Sequence, residues 1–194
     1  RFDVLVEQVR SLRGFDNFLK PPAIDDLVNR IDGPVVVINA AALRCDAVVV
    51  MAGQIRTIEL PATNHEAIAT HRARYHEAAA VLENPARGHL AKAAAMADMR
   101  SVLGWVWNDI VAPVIASLGL TNPPPGQPLP RVWWCPTGPL SALPLHAAEP
   151  HDPTLVGAHD LVVSSYTPTL RSHAQAAPPN PVQAPKLLII ALAN

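Results

Sequence analysis

Residues 131–146 read RVWWCPTGPLSALPLH and carry the strongest local signals in the chain. Residues 132–135 are aromatic or β-branched and are bounded by prolines, which predicts a short buried strand. Pro-Thr-Gly-Pro at residues 136–139 then forces a turn at the carboxyl end of that strand. In open α/β sheets, ligands and catalytic residues collect at this end of the strands. The stretch is therefore the first place to look for a site.

Composition restricts the class of protein. The chain has 194 residues, 49% apolar and 16% charged, which allows one sizeable core and excludes a disordered chain. The 15 Lys and Arg residues nearly balance the 16 Asp and Glu residues, and no basic run alternates with aromatics, so we expect no nucleic-acid partner. No apolar run reaches the roughly 18 residues of a membrane span, and residues 1–20 lack a signal-peptide layout. We expect no membrane partner, a cytoplasmic location and two free thiols.

The amino-terminal part of the chain is predicted to be helical. Apolar residues recur at helical spacing over residues 1–13, and Gly14 ends this helix. Its apolar face consists of Val4, Leu5, Val9 and Leu12. A second apolar group is predicted to pack as a plug against the following core, and its members are Phe15, Phe18 and Leu19. A short helix is predicted over residues 24–31.

A group of β-rich runs follows. The predicted strands are residues 35–40, 47–52 and 55–60. Residues 53–54 fit a two-residue hairpin connection, so the three strands are predicted to form an antiparallel meander. The first two strands are continuously apolar, which indicates cover on both faces. Arg56 and Glu59 make the third strand a plausible edge.

Two long helices are predicted after the meander. Asn64 is a good N-cap for a helix to about residue 82, whose buried face is Ile68, Tyr75, Ala79 and Leu82. The second helix is predicted over residues 88–118, with an apolar stripe of Met99, Leu103, Val106, Ile110 and Val114. Pro113 lacks a backbone donor and clashes with the preceding turn, so we expect a kink or a helix restart there, and Gly119 ends the helix.

The last third of the sequence predicts three more elements besides the opening stretch. These are a strand over residues 160–164, a turn and short helix through residues 166–171 and a fully apolar strand over residues 187–192. A buried parallel strand needs neighbours on both sides, yet the sequence stops at Asn194. We therefore expect a fragment of a larger domain, whose sheet is incomplete at the carboxyl end.

Cys135 and His146 form the most tempting catalytic pair. A thiol at a strand end with an imidazole eleven residues later has the residue types that cysteine nucleophiles require. The alternative is that Cys135 is a small buried apolar residue and His146 anchors a loop. Pro136 and Pro139 leave few backbone N–H groups for an oxyanion hole, which favours the structural interpretation. Cys45 is likewise interpreted as a structural thiol.

The other chemistry-bearing residues do not assemble into a site. The histidines at positions 65, 71 and 76 lie on one predicted helix, but their spacings of five and six do not place two ligands on one face. A solvated helix face is the preferred interpretation. The serines at positions 141, 164 and 165 lack the glycines of a nucleophile elbow, and no phosphate-binding glycine loop is present. We expect no catalytic residue, metal or cofactor in this chain.

Two blocks of sequence resemble a known family. Residues 133–148 and 163–170 strongly resemble the CHAT domain family, caspase-like domains that often follow tetratricopeptide repeats. Upstream runs look like the lead-in of fungal members, at residues 14–19, 33–39 and 44–47. The resemblance covers nearly the whole chain.

The resemblance implies a fold and a chemistry. It implies a three-layer, caspase-like α/β sheet with helices on both faces, preceded by the meander and the two long helices. For competent members it implies a cysteine endopeptidase with a His and Cys dyad, and both dyad residues lie downstream of the segment equivalent to residues 187–192. His146 matches a Pro-Leu-His-Ala-Ala block that is not the catalytic histidine, and Cys135 lies where other residues are commonly found. No catalytic residue carries over.

The resemblance also implies domains and partners. Residues 1–22 would end an upstream helical region and linker, and residues 23–194 would be the amino-terminal part of a CHAT domain, truncated before its catalytic half. The expected partners are a protein or peptide, the missing carboxyl half and upstream helical repeats. One alternative is a non-catalytic, caspase-like interaction or signalling module. A weaker alternative is an unrelated α/β hydrolase or redox enzyme that uses Cys135.

Overall fold

The chain folds as a mixed α/β protein. The structure is a computed structural model that describes residues 2–20, 23–121, 126–152 and 154–176. The strands are β1 (Val35–Ala40), β2 (Cys45–Met51), β3 (Gln54–Glu59), β4 (Arg131–Pro136) and β5 (Val163–Tyr166). The helices are α1 (Phe2–Arg10), α2 (Ile24–Val28), α3 (His65–Glu83), α4 (His89–Val106), α5 (Ala112–Ser117), α6 (Ala158–Leu161) and α7 (Leu170–Gln175). A π turn (Trp107–Val111) and two 3-10 helices (Gly138–Ala142 and Leu145–Ala147) complete the description.

The described strands form one five-stranded sheet with the order β3-β2-β1-β4-β5. Strands β1, β2 and β3 pair antiparallel, which confirms the predicted meander and the position of β3 at an edge. Strands β4 and β5 extend the sheet in parallel with β1. The hairpin between β2 and β3 turns on Ala52 and Gly53, whose φ values of 51° and 76° are left-handed, as such tight turns require. The predicted turn at residues 53–54 is one residue late, because Gln54 already pairs with Met51.

Helices cover both faces of the sheet. Alternate residues of a strand point to opposite faces, and the core is divided accordingly. On the first face, Val36 and Trp134 join a large cluster with the buried residues of α3, α4 and α5. On the second face, Val35 and Val50 pack with Val28 of α2 and with α7. The prediction of continuously apolar, doubly covered strands is confirmed for β1 and β2.

The first long helix begins and packs as the sequence indicates. The Asn64 side chain accepts a hydrogen bond of 2.8 Å from the Ala67 amide, which caps α3. Ile68 is fully buried, whereas Tyr75 is half-buried at the margin of the core. An ion pair of 2.8 Å between Arg74 and Asp98 joins α3 to α4 on the solvent side.

The second long helix is interrupted ahead of Pro113, where a kink was expected. Because proline has no N–H and its ring crowds the carbonyl four residues earlier, a regular helix cannot continue through residue 113. The chain instead widens into the π turn and resumes as α5. Val106, Ile110 and Val114 of the predicted stripe are fully buried, which confirms the inward face.

The amino-terminal segment, residues 2–20, differs from its prediction. α1 ends at Arg10, and the residues predicted to pack inward are exposed or only half-buried. Those exposed by half or more are Val4, Leu5, Leu12, Phe15 and Leu19. Only Val6 of α1 is buried, and the Arg10 Nε–H donates a 2.8 Å hydrogen bond to the Phe18 carbonyl. The segment thus folds back on the Val6 and Arg10 side of α1, which turns the predicted apolar face and plug outward.

Two further predicted boundaries are wrong, at residues 160–164 and at residues 24–31. Residues 160–164 do not form one strand, because Asp160 belongs to α6, where its side chain accepts a 2.9 Å hydrogen bond from the amide of the N-cap residue Gly157. Strand β5 begins only at Val163. In the segment predicted as a turn and short helix, residues 166–171, the helix begins at Leu170, where the Thr169 hydroxyl caps α7. The helix predicted over residues 24–31 ends at Val28. The strand predicted over residues 187–192 lies outside the described residues.

Candidate functional site

The carboxyl ends of the parallel strands β1, β4 and β5 meet at one edge of the sheet, where ligands collect in such folds. The segments that form this edge are residues 131–148 and 163–167, which we call the signature edge. It contains β4 and β5 together with both 3-10 helices. The predicted pair Cys135 and His146 both belong to it.

Thr137 joins the ends of β4 and β1. Its amide and its hydroxyl both donate to the Ile38 carbonyl, at 3.0 and 2.9 Å, and the hydroxyl accepts from the Ala40 amide at 3.2 Å. Gly138 follows with a left-handed φ of 57° and opens the first 3-10 helix. The amide and the hydroxyl of Thr137 are therefore both used to hold the two strands together.

Cys135 is a buried member of β4, opposite Val37 of β1. Its exposed fraction is 4%, and burial raises the pKa of its thiol. A raised pKa keeps the sulfur protonated at neutral pH, whereas nucleophilic attack requires the thiolate. No hydrogen bond between Cys135 and His146 is found among the described residues.

His146 binds a phenol instead of a thiol. Its amide donates a 3.1 Å hydrogen bond to the Tyr166 hydroxyl oxygen, and its Nδ1 lies 3.0 Å from the same oxygen. The two rings meet edge to face at 5.8 Å between centroids. Burial raises the pKa of Tyr166, although the backbone N–H groups of His146 and Leu145 oppose the shift. This Tyr166 clasp ties the second 3-10 helix to the end of β5.

The serines that were considered as nucleophiles also make structural bonds. Ser141 Oγ donates to the Gly138 carbonyl at 2.7 Å within the first 3-10 helix. Ser164 Oγ accepts a 3.0 Å bond from the Trp134 indole, and Ser165 bonds the Arg131 guanidinium. These bonds pin β5 to β4 across the sheet.

The remaining thiol, Cys45, is the first residue of β2 and pairs with Ala40 at the carboxyl end of β1. Burial raises the pKa of Cys45, while its contact with the Ala41 carbonyl, 3.8 Å from the sulfur, acts in the opposite direction. The adjacent Asp46 accepts a 2.8 Å bond from the exposed Arg44. The arrangement is that of a structural thiol beside a surface ion pair.

The three histidines of α3 do not converge. His65 and His76 are exposed, whereas His71 stacks on Trp105 of α4. In the described part of the chain, no three His, Cys, Asp or Glu side chains lie close enough together to hold a metal ion. The predicted solvated face is confirmed for His65 and His76, whereas no pattern in the sequence indicated the packing of His71.

A cavity of about 800 Å³ lies on the second face of the sheet, which the sequence did not indicate. Trp133 forms one wall, and His173 of α7 packs against it at 4.8 Å between ring centroids. Burial lowers the pKa of His173, and the charge of Asp32 opposes this shift. Among the described residues, no hydrogen bond joins the hydroxyl of Thr167 or Ser172 to His173, because these hydroxyls bond Thr169 instead.

No protein-family model, curated protein or solved structure matches this chain. Within the described residues, no helix is long and apolar enough to cross a membrane.

Proposed function

We propose that this chain is the amino-terminal, structural part of a CHAT-domain protein related to cysteine endopeptidases, and that it performs no peptidase chemistry itself. The proposal rests on the surroundings of the two candidate catalytic residues: Cys135 is buried, and the Nδ1 atom of His146 lies within hydrogen-bond distance of the Tyr166 hydroxyl. The signature edge is then a scaffold for the sheet.

The chemistry of the pair supports this proposal. A cysteine nucleophile needs a lowered thiol pKa and a base within hydrogen-bond reach. Burial shifts the pKa of Cys135 in the opposite direction, and the imidazole of His146 lies against the Tyr166 hydroxyl. A substrate could reach Cys135 only if the fold opened, since the exposed fraction of this residue is 4%.

The two blocks that carry the resemblance form one structural unit. Residues 133–148 contain the last four residues of β4, residues 163–170 contain β5, and the two strands pair in parallel. The Thr167 amide adds a 2.9 Å bond to the Trp134 carbonyl, beyond the last strand pair. A mixed sheet covered by helices on both faces is the general architecture that a caspase-like domain needs. These features favour a supporting half over an isolated enzyme.

Cleavage of a peptide library tests the proposal. We expect no thiol-dependent cleavage by the chain, and the same background from Cys135→Ala and from the matched control Cys45→Ala. Cleavage that is blocked by a thiol reagent, lost in Cys135→Ala and retained in Cys45→Ala would overturn the proposal in favour of an enzyme that uses Cys135.

The amino-terminal segment favours a second candidate, a non-catalytic interaction module. Its outward apolar residues include Leu5 and Leu12, at 56% and 57% exposure, and such groups of apolar residues mark interaction sites. We infer that this face packs against helical repeats. In a binding assay with a tetratricopeptide-repeat polypeptide, Leu5→Glu combined with Leu12→Glu should abolish binding while leaving the unfolding midpoint unchanged. Equal binding by the variant and the native chain would contradict this candidate.

A further inference from the structure

His71 and Trp105 form a stacked pair between the two long helices. The imidazole of His71 on α3 lies almost parallel to the Trp105 indole on α4, with 4.1 Å between ring centroids and 11° between planes. Trp105 lies just ahead of the π turn, which replaces regular helix over Trp107–Val111. Short π segments inside α-helices often occur where a side chain has a special role.

The stacked imidazole has a nitrogen that lacks a partner. His71 Nδ1 is buried and has no hydrogen-bond partner among the described residues. In a neutral imidazole one nitrogen can remain a lone-pair acceptor, but in the protonated ring both nitrogens are donors. Protonation would therefore place a charged N–H in a buried position without an acceptor, which is costly.

Several charged groups surround the ring. Arg74 lies one turn along α3 and is paired with Asp98 of α4, while Asp109 approaches from the π turn. The His151 ring packs over Gly104 of α4, where an added Cβ would collide with it. Burial and the charge of Arg74 lower the pKa of His71, and Asp109 acts in the opposite direction.

The π turn and the signature edge both contact α3 or the residue just ahead of it. The Thr63 hydroxyl donates a 3.2 Å hydrogen bond to the Asp109 carbonyl, immediately before α3 begins. Burial raises the pKa of the Asp109 carboxyl. A hydrogen bond from Trp105 and the charge of His71 act to lower the same pKa. On its inner side α3 packs against the first 3-10 helix, Gly138–Ala142. A change in the position of α3 would therefore reach the signature edge.

We propose that His71 is a pH-sensitive joint: its neutral ring fastens α3 to α4 and the π turn, and its protonation loosens α3 and uncovers the first 3-10 helix. The folded chain favours the neutral ring, so the unfolded or opened chain binds the proton more readily. Protection of α3 is complete above the ordinary pKa of histidine, about 6.5, and falls as the pH drops below it. This inference is independent of the proposed scaffold function.

Hydrogen exchange at pH 7.5 and 5.5, corrected for intrinsic rates, tests the joint. In the native chain, α3 amides should lose protection at the lower pH, by up to about tenfold, because pH 5.5 lies about one unit below the ordinary histidine pKa of about 6.5 and each unit corresponds to tenfold in the opening equilibrium. His71→Phe keeps an aromatic stack without a titrating group, so its protection should be independent of pH. The matched control His76→Phe, an exposed position of the same helix, should behave like the native chain.

Equal loss of protection in the native chain and in His71→Phe would overturn the proposal, and so would a native chain without any loss. If His71→Phe fails to fold, an NMR titration of the His71 ring in the native chain decides. A midpoint below about 6.5, accompanied by a shift of the Trp105 indole signal, supports the joint. A midpoint at or above that value refutes it.

Discussion

The signature edge and the amino-terminal segment are both rich in apolar residues, but the fold treats them in opposite ways. In the signature edge, Trp134, Leu140 and Leu145 are fully buried, whereas Leu5 and Leu12 in the amino-terminal segment are more than half exposed. Hydrogen bonds between residues far apart in sequence hold the signature edge together. In the amino-terminal segment, by contrast, the side chain of Arg10 bonds Glu7 and Phe18, which are close to it in sequence. In these two regions, whether an apolar residue is buried therefore depends more on long-range strand pairing than on the hydrophobicity of the local sequence.

Truncation of Trp134 should give the largest contrast between the two regions. Its indole is fully buried and bonds Ser164, so Trp134→Ala should lower the free energy of unfolding by about 3–5 kcal/mol. The matched change Phe15→Ala removes a half-exposed ring and should cost no more than about 0.5 kcal/mol. Urea unfolding at equilibrium measures both values. Similar costs for the two variants would show that the amino-terminal segment packs as tightly as the edge.

The strand junction at Thr137 should give the next largest effect. Thr137→Val keeps the shape but removes the hydroxyl that bonds Ile38 and Ala40, leaving the Ala40 amide without its acceptor. We expect a loss of about 1–2 kcal/mol in the free energy of unfolding. Thr57→Val, at an exposed position of β3, is the control and should be nearly neutral. If Thr137→Val is as mild as the control, the hydroxyl does not fasten the two strands.

The smallest of the three effects is expected at the Tyr166 clasp. Tyr166→Phe removes the oxygen that accepts from the His146 amide and should cost about 1 kcal/mol. Backbone exchange should rise at Leu145 and His146 and remain unchanged in α1. Ser141→Ala removes a local hydroxyl bond and serves as the control for loss of a polar group at the same edge. Unchanged exchange at His146 in Tyr166→Phe would contradict the clasp.

Local signals predicted those parts of the fold that depend on neighbouring residues. β1 was predicted over its observed range because its run of Val and Ile is unbroken, and the start of α3 followed from the capping side chain of Asn64. The break in the second long helix followed from Pro113, although its form, a π turn, did not. Asp160 and Leu161, the last two residues of α6, were assigned to a strand because a four-residue helix is too short to show a helical period.

Contacts between distant residues explain what the sequence could not reveal about the site. The stack of His71 on Trp105 and the bond of His146 to Tyr166 join residues on separate elements, and spacing along the chain carries no signal for either. The orientation of α1 also depends on what covers it, so the amphipathic pattern of Val4 and Leu5 identified a helix without identifying its buried side. The interpretation of Cys135 as a structural residue rested on the local prolines and on the resemblance.

The rate of alkylation of Cys135 tests most directly whether the signature edge is a scaffold or a site. In a Cys45→Ala background, Cys135 is the remaining thiol, and iodoacetamide labelling at pH 7 can be compared between the folded and the urea-unfolded chain. Because Cys135 is buried and its pKa is raised, the account predicts labelling at least about a hundredfold slower in the folded chain, unchanged by His146→Ala. Folded-state labelling faster than in urea, and slowed by His146→Ala, would contradict it.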